Sequence, residues 1–174
     1  PAIIALLEKG DPNLRQYCIK GLANFPDSED ARNAVLQGIR DDHYKVRMEA
    51  IRAAKEMHIA EAAEYMIYRA KNDSERAVRT ACYAALAEMR SAEGTAFLVE
   101  QIAAKKVSDS VKTEAAKALM KEDCGGESEI IELAKEALRD DRRKKLRAEL
   151  GKLFIKYARP GYAEICELYL QSKD

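Results

Sequence analysis

Two histidines, four cysteines and 60 charged side chains are the groups with which this 174-residue chain could do chemistry. His43 and His58 are the only imidazoles available to bind a metal or carry a proton. Each falls at the end of a helical pattern and neither is followed by Glu, so paired His-Glu ligand sets are missing. Cys18, Cys82, Cys124 and Cys166 contain no Cys-x-x-Cys pair, and their wide spacing does not describe a compact zinc site. The chain has no Gly-rich phosphate loop, no strand-turn-helix serine elbow, and no convergent Ser, His and Asp set. Neither a catalytic centre nor a cofactor is expected, and the chemistry left to the chain is recognition by charge and shape.

The charged residues are better organised than the nucleophiles. Arg15, Arg47, Arg79, Lys112 and Arg147 each stand second in a stretch of one design: LRQYCIKGL (14–22), VRMEAIRAA (46–54), VRTACYAAL (78–86), VKTEAAKAL (111–119) and LRAELGKLF (146–154). An aliphatic residue opens each copy, a cation follows, and small or apolar residues recur at the fifth place and at the end. The openings are 32, 32, 33 and 35 residues apart, which is a repeat period. Apolar places one, five, eight or nine, and twelve share one helical face, and that face must be buried against neighbours. A small residue at place five (Cys18, Ala50, Cys82, Ala115) lets helices approach to about 8–10 Å, whereas Leu150 marks a wider contact.

A second helical pattern precedes each copy: IIALL (3–7), ARNAVLQGI (31–39), AAEYMIYRA (62–70), TAFLVEQIA (95–103) and IIELAKEAL (130–138). Each repeat therefore reads as a helical hairpin, and YAEICELYLQSK (162–173) reads as a final helix without a partner, giving eleven helices in all. Asp- and Ser-containing turns at 9–13, 40–43, 71–75, 107–110 and 139–143 supply caps for the second helices, and Pro12 suits a first helical turn. The fourth second helix carries Glu122 where other copies have Phe25, Met57, Met89 and Tyr157, and is expected to fray near Lys121. Two cysteines two repeats apart, Cys18 and Cys82, are on the order of 20 Å from each other at a pitch near 10 Å. A disulfide needs Cα atoms within about 7 Å. Thiols serving as small core residues favour, weakly, a reducing compartment such as the cytoplasm.

The repeated aliphatic-Arg-x-x-Ala-x-x-Ala-Leu pattern after an Asp-containing turn resembles the HEAT repeat, in the short-period form of the PBS-lyase type, over nearly the whole chain. The resemblance implies an all-α, right-handed α-solenoid of about five HEAT-like hairpins plus an unpaired last helix. It would form one array over 1–174, with units near 1–26, 27–60, 61–91, 92–124 and 125–159 and a partial unit at 160–174. It also implies a structural ladder in which Arg15, Arg47, Arg79, Lys112 and Arg147 reach Asp11, Asp42, Asp73, Asp109 and Asp141 of adjacent turns, a planar fork being suited to carboxylate and carbonyl acceptors. Related proteins that bind iron through His-Glu pairs, as deoxyhypusine hydroxylase does, or that remove alkylated bases from DNA with aromatic-lined clefts, demand residues this chain lacks.

The expected function is that of a non-catalytic scaffold whose second helices line a concave face for a protein or peptide partner. The candidate contacts are Lys20, Arg52, Thr80, Ala81, Ala84, Lys117, Lys121, Lys152 and Lys156. Thr80, Ala81 and Ala84, with Ala87 beyond them, describe a shallow, mildly apolar floor flanked by Arg52, Lys55, Lys117 and Lys121, which suits an acidic, partly apolar segment. Lys55 is expected to be solvated. Pairs such as Glu49 with Arg52 and Glu149 with Lys152 could equally just solvate a helix face. The alternative partner is nucleic acid, bound by the basic run 139–147 with Lys152, Lys156 and Arg159. Net charge is zero, aromatic stacking residues are few there, and no apolar run approaches a membrane span. Ile3, Ile4 and Leu7 at one end, and Ile165, Leu168 and Tyr169 at the other, call for covering by further sequence or self-association.

Overall fold

A computed structural model describes residues 2–172. Eleven α-helices alternate with short turns: α1 (Ala2–Lys9), α2 (Pro12–Leu22), α3 (Glu29–Gly38), α4 (Tyr44–Glu56), α5 (Ala62–Asn72), α6 (Arg76–Met89), α7 (Ala92–Ala103), α8 (Asp109–Glu122), α9 (Glu127–Arg139), α10 (Lys144–Lys156) and α11 (Ala163–Gln171). Single 3₁₀ turns at Asp141–Arg143 and Pro160–Tyr162 lead into α10 and α11. No strand occurs among the described residues. The chain packs as two compact units, 1–94 and 95–174.

In the first unit α1, α3 and α5 are first helices and α2, α4 and α6 second helices. Helix α4 packs on both α2 and α6 and also meets α3 and α5. This is possible because its inner face carries Val46, Ala50, Ile51, Ala53 and Ala54, all buried. The closest approach is at Gly38, where a Cβ would come within 2.9 Å of both Ala50 Cβ and Ile19 Cδ1. Any larger residue there would push α3 off the two second helices it bridges. Cys18, Ala50 and Cys82 are buried as small core residues, and burial pushes the Cys82 thiol up to about 12, with Asp73 adding to the effect.

The second unit is built on bulkier contacts. Leu150 is fully buried, and α8, α9 and α11 pack around α10. Phe154 meets the rings of Tyr162 and Tyr169 edge to face at 5.3 and 5.4 Å, an arrangement favoured by ring quadrupoles. Gly151 leaves ordinary van der Waals room for the Tyr169 ring. Burial pushes the Tyr162 and Tyr169 hydroxyls up to about 12.

Two local expectations need correction. Helix α8 does not fray at Lys121 but runs to Glu122. Asp123 adopts a left-handed conformation (φ 51°) and returns its N–H to Leu119 O, while Leu119 and Met120 are buried beneath the last turn. The turn aspartates also cap less directly than expected. Asp11 does cap α2, accepting from the N–H groups of Asn13 and Leu14 at 2.8 and 3.1 Å. The cap of α4 is His43, whose Nδ1 accepts from Lys45 N–H, and Glu75 and Ser108 precede α6 and α8 without a side-chain bond. Asp41 and Asp73 instead close the turn before the helix, each accepting the N–H two residues on, from His43 and Glu75.

Candidate interaction site

Those turn aspartates are placed to receive arginines from the preceding hairpin. Arg15 forks onto Asp41 through Nε (2.9 Å) and Nη2 (2.8 Å), while its Nη1 donates to Gly10 O at 3.0 Å. Arg47 repeats the arrangement one hairpin later. Its Nη1 holds the carbonyls of Asp41 and Asp42 at 2.9 and 2.8 Å, its Nη2 donates to Asp73 Oδ1 at 2.8 Å, and its Nε lies 2.7 Å from Asp73 Oδ2. Arg79 grips the carbonyls of Asp73 and Ser74 in the same way. Arg15 and Arg47 thus each tie their own turn to the next, whereas Arg79 holds its own turn, and Arg47 and Asp73 are both buried.

The principal acceptor in the second turn is Asp41; the expected Asp42 also accepts from Arg15 Nη2, at 2.5 Å, but is 88% exposed. The sequence did carry the signal: Asp41 and Asp73 both stand six residues before the signature arginine and 26 residues after the previous one. Burial pushes the Asp41 carboxyl up, but the Arg15 hydrogen bonds and the His43 N–H outweigh it and hold the group below the usual carboxylate range.

In the second unit the ladder is wired differently. Lys112 is 6% exposed. Its ammonium makes no hydrogen bond or ion pair among the described residues, and burial, reinforced by Arg143, pushes its pKa down. The residue 26 positions on is Leu138. Asp109 is taken by Arg143, which reaches back with Nε at 3.2 Å and Nη2 at 2.5 Å and also donates to Glu136. Arg147 is buried, with Nη2 3.9 Å from the exposed Asp141. Arg159, also unforeseen as a structural group, binds Asp123 and the Met120 carbonyl.

On the outward face of the first unit's second helices, Lys20 is exposed and Thr80, Ala81 and Ala84 are half-buried. Ala87 is core, not floor. Tyr17 is 68% exposed on the same helix as Lys20. Arg52 is clamped by Glu49 and Glu56, and Lys55 is not solvated as expected but donates to Glu88 at 2.5 Å, linking α4 to α6. Its four-carbon stem reaches one helix across, where an acid stands at a matching place. In the second unit Lys117 is exposed, Lys121 pairs with Glu122, Lys152 with Glu149 at 2.8 Å, and Lys156 lies over the Tyr157 ring.

Much of the basic run at 139–147 is already engaged. Arg142 chelates Asp140 at 3.0 and 3.1 Å, and Arg143 and Arg147 face the carboxylates named above. The four cysteines are unbridged, and no cluster of His, Cys, Asp and Glu among the described residues could hold a metal. None of their helices is long and apolar enough to cross a membrane.

Hairpins of a first and a second helix, packed second helix to second helix through small residues and tied turn to turn by arginine, define a HEAT-type helical repeat. The chain belongs to the spirochaete HEAT repeat protein family, whose model matches residues 1–174. Its fold is also similar to the crystal structure of an engineered protein, a Northeast Structural Genomics Consortium target, at a TM-score of 0.55 and 18% identity, over 99% of this chain and 89% of that one. No curated protein matches the chain significantly.

Proposed function

We propose that the protein is a non-catalytic interaction scaffold that binds a segment of a partner protein along the outward face of its second helices. The observation that carries this reading is the surface of α2, α4 and α6. These helices lie side by side with Tyr17 exposed at one edge and the low relief of Thr80, Ala81 and Ala84 at the other, a surface on which apolar side chains can be laid without displacing large residues. Lys20, and on the second unit Lys117, are exposed cations outside any ion pair among the described residues, and they favour a partner that is acidic as well as apolar. Arg52, Lys121, Lys152 and Lys156 border these surfaces but are already neutralised or stacked, and act by shape more than by charge. Nucleic acid is the poorer partner because Arg142, Arg143, Arg147 and Arg159 already face carboxylates.

The test is a photo-crosslinking residue at Tyr17, with the same residue at the exposed position Gln37 of α3, in the layer of first helices, as control. A partner that crosslinks at Tyr17, and is lost when Ala84→Glu is added with the melting temperature unchanged, supports the site. A partner that crosslinks equally from Gln37, or ignores Ala84→Glu, refutes it.

A further inference from the structure

The layer of first helices in the same unit carries a second, chemically distinct surface. A cleft of about 530 Å³ opens where the end of α3 meets α5, lined by Arg40, Glu64, Tyr65, Tyr68 and Arg69. Arg69 is fixed in place. Its Nε donates to Ile39 O at 3.0 Å, and its Nη1 lies 3.7 Å from Asp73, the carboxylate that Arg47 holds. Neither contact uses Nη2. The Arg69 guanidinium also lies 5.9 Å from the Tyr68 ring centre, and Arg40 lies 5.9 Å from that of Tyr65. Arg40 is exposed and its guanidinium makes no hydrogen bond among the described residues, while Tyr68 is 62% exposed. Two guanidinium groups with donors to spare therefore face one acid, Glu64, over a floor of two aromatic rings.

We infer that this cleft docks an acidic segment of a partner protein, its carboxylates meeting Arg40 and Arg69 and an intervening apolar side chain lying on Tyr65 and Tyr68. Charge complementarity selects this occupant. A basic segment would bring cations to the unpaired Arg40 and to the free Nη2 edge of Arg69, whereas a carboxylate accepts from these donors and leaves the rings as a hydrophobic surface. Tyrosine and arginine are also the side chains that concentrate binding energy at protein interfaces. Part of the ordering cost of this site is already met, since Arg69 is held by Ile39 O and Asp73 before any ligand arrives. The inference does not depend on the second-helix site, because the two surfaces share no residue.

Titration of the isotope-labelled full chain with the probe peptide acetyl-Glu-Leu-Glu-Phe-Glu-amide, followed by NMR, tests it. The expected result is saturable shifts at the Arg69 Nε–H and the Tyr65 and Tyr68 rings. Affinity should fall at least about tenfold, equivalent to about 1.4 kcal/mol, in Arg40→Glu, a variant that keeps the ladder, and should be unaffected by Ala84→Glu on the other layer. The matching peptide with Lys for Glu should give no shifts at these groups. Equal responses to both peptides, or an Arg40→Glu affinity equal to that of the wild type, would overturn the inference. So would the absence of saturable shifts in a protein whose spectrum is that of the folded chain.

Discussion

Arg47 and Lys112 occupy the same place in the repeat, one in each unit, and differ in nearly everything that place does. Arg47 spends three nitrogens on two successive turns and is buried against an acid that is buried with it. Lys112 is covered to the same degree but makes no hydrogen bond or ion pair among the described residues; it lines a cleft with Glu129, Glu132 and Glu136, and Glu136 and Asp109 only partly offset the cost of covering its charge. The difference is in the acceptor. Counting 26 residues on from Arg15 and Arg47 reaches Asp41 and Asp73, but from Lys112 it reaches Leu138. A signature cation without its counterpart is a burden, and the second unit carries its turn-to-turn link on Arg143 instead. The same repeat position therefore marks a tie in one region and a tolerated cost in the other.

The most direct way to break this comparison is to remove the two cations. Arg47→Ala should destabilise the first unit by about 3–5 kcal/mol, since it strands a buried carboxylate, and urea unfolding would show it. The exposed Lys45, mutated to Ala, is the proper control, as Lys55 links two helices and should cost up to about 1 kcal/mol by itself. Lys112→Met should be neutral or stabilising by about 1 kcal/mol at pH 7. A loss of several kcal/mol there would mean Lys112 is a tie after all.

The pH dependence sharpens the point, because both groups shift downward but with opposite effects on stability. Asp41 has a folded pKa below its unfolded value, so its contribution is fully present above about pH 4 and is lost as pH falls through the folded value. Asp41→Asn should remove that part of the acid limb and leave the variant less stable at pH 7. The Lys112 pKa is lowered on folding, so its penalty is complete below the folded value and is relieved as pH rises toward about 10.4. The advantage of Lys112→Met should therefore shrink as pH rises through the lowered folded value toward about 10.4, and an advantage independent of pH over that rise would contradict a charge penalty at Lys112. The smallest expected effect tests a turn. His58 holds φ 52° after α4, and His58→Gly should stabilise the first unit by about 0.5–1 kcal/mol in thermal melts.

The helices were legible because apolar spacing and period are local properties of the string. All eleven were readable, as were the buried places five, since a helix cannot hide an unpaired apolar face. The ladder was legible in outline and incomplete in detail. Recognising Asp41 as the bidentate acceptor beside Asp42 required knowing which of two adjacent acids faces the hairpin before it, and that depends on the turn's backbone. The roles of Arg143, Arg159 and Lys55 were not legible, because each reaches about 33 to 39 residues away along a direction set by packing. The cleft at Arg40 and Arg69 was missed for a related reason: its residues belong to two first helices, where the repeat pattern is weakest.

The 26-residue interval between donor and acceptor has a further consequence for how such a chain can change length. Copying a whole 32-residue block carries an arginine and an aspartate together and leaves every interval intact. A single residue inserted within α3 would rotate the remainder of that helix, and the turn after it, by about 100° and advance both by about 1.5 Å. That is enough to carry Asp41 away from Arg15 while Asp73 stayed in step with Arg47. The ladder thus behaves as a frame: indifferent to duplication in whole units and intolerant of odd residues within one.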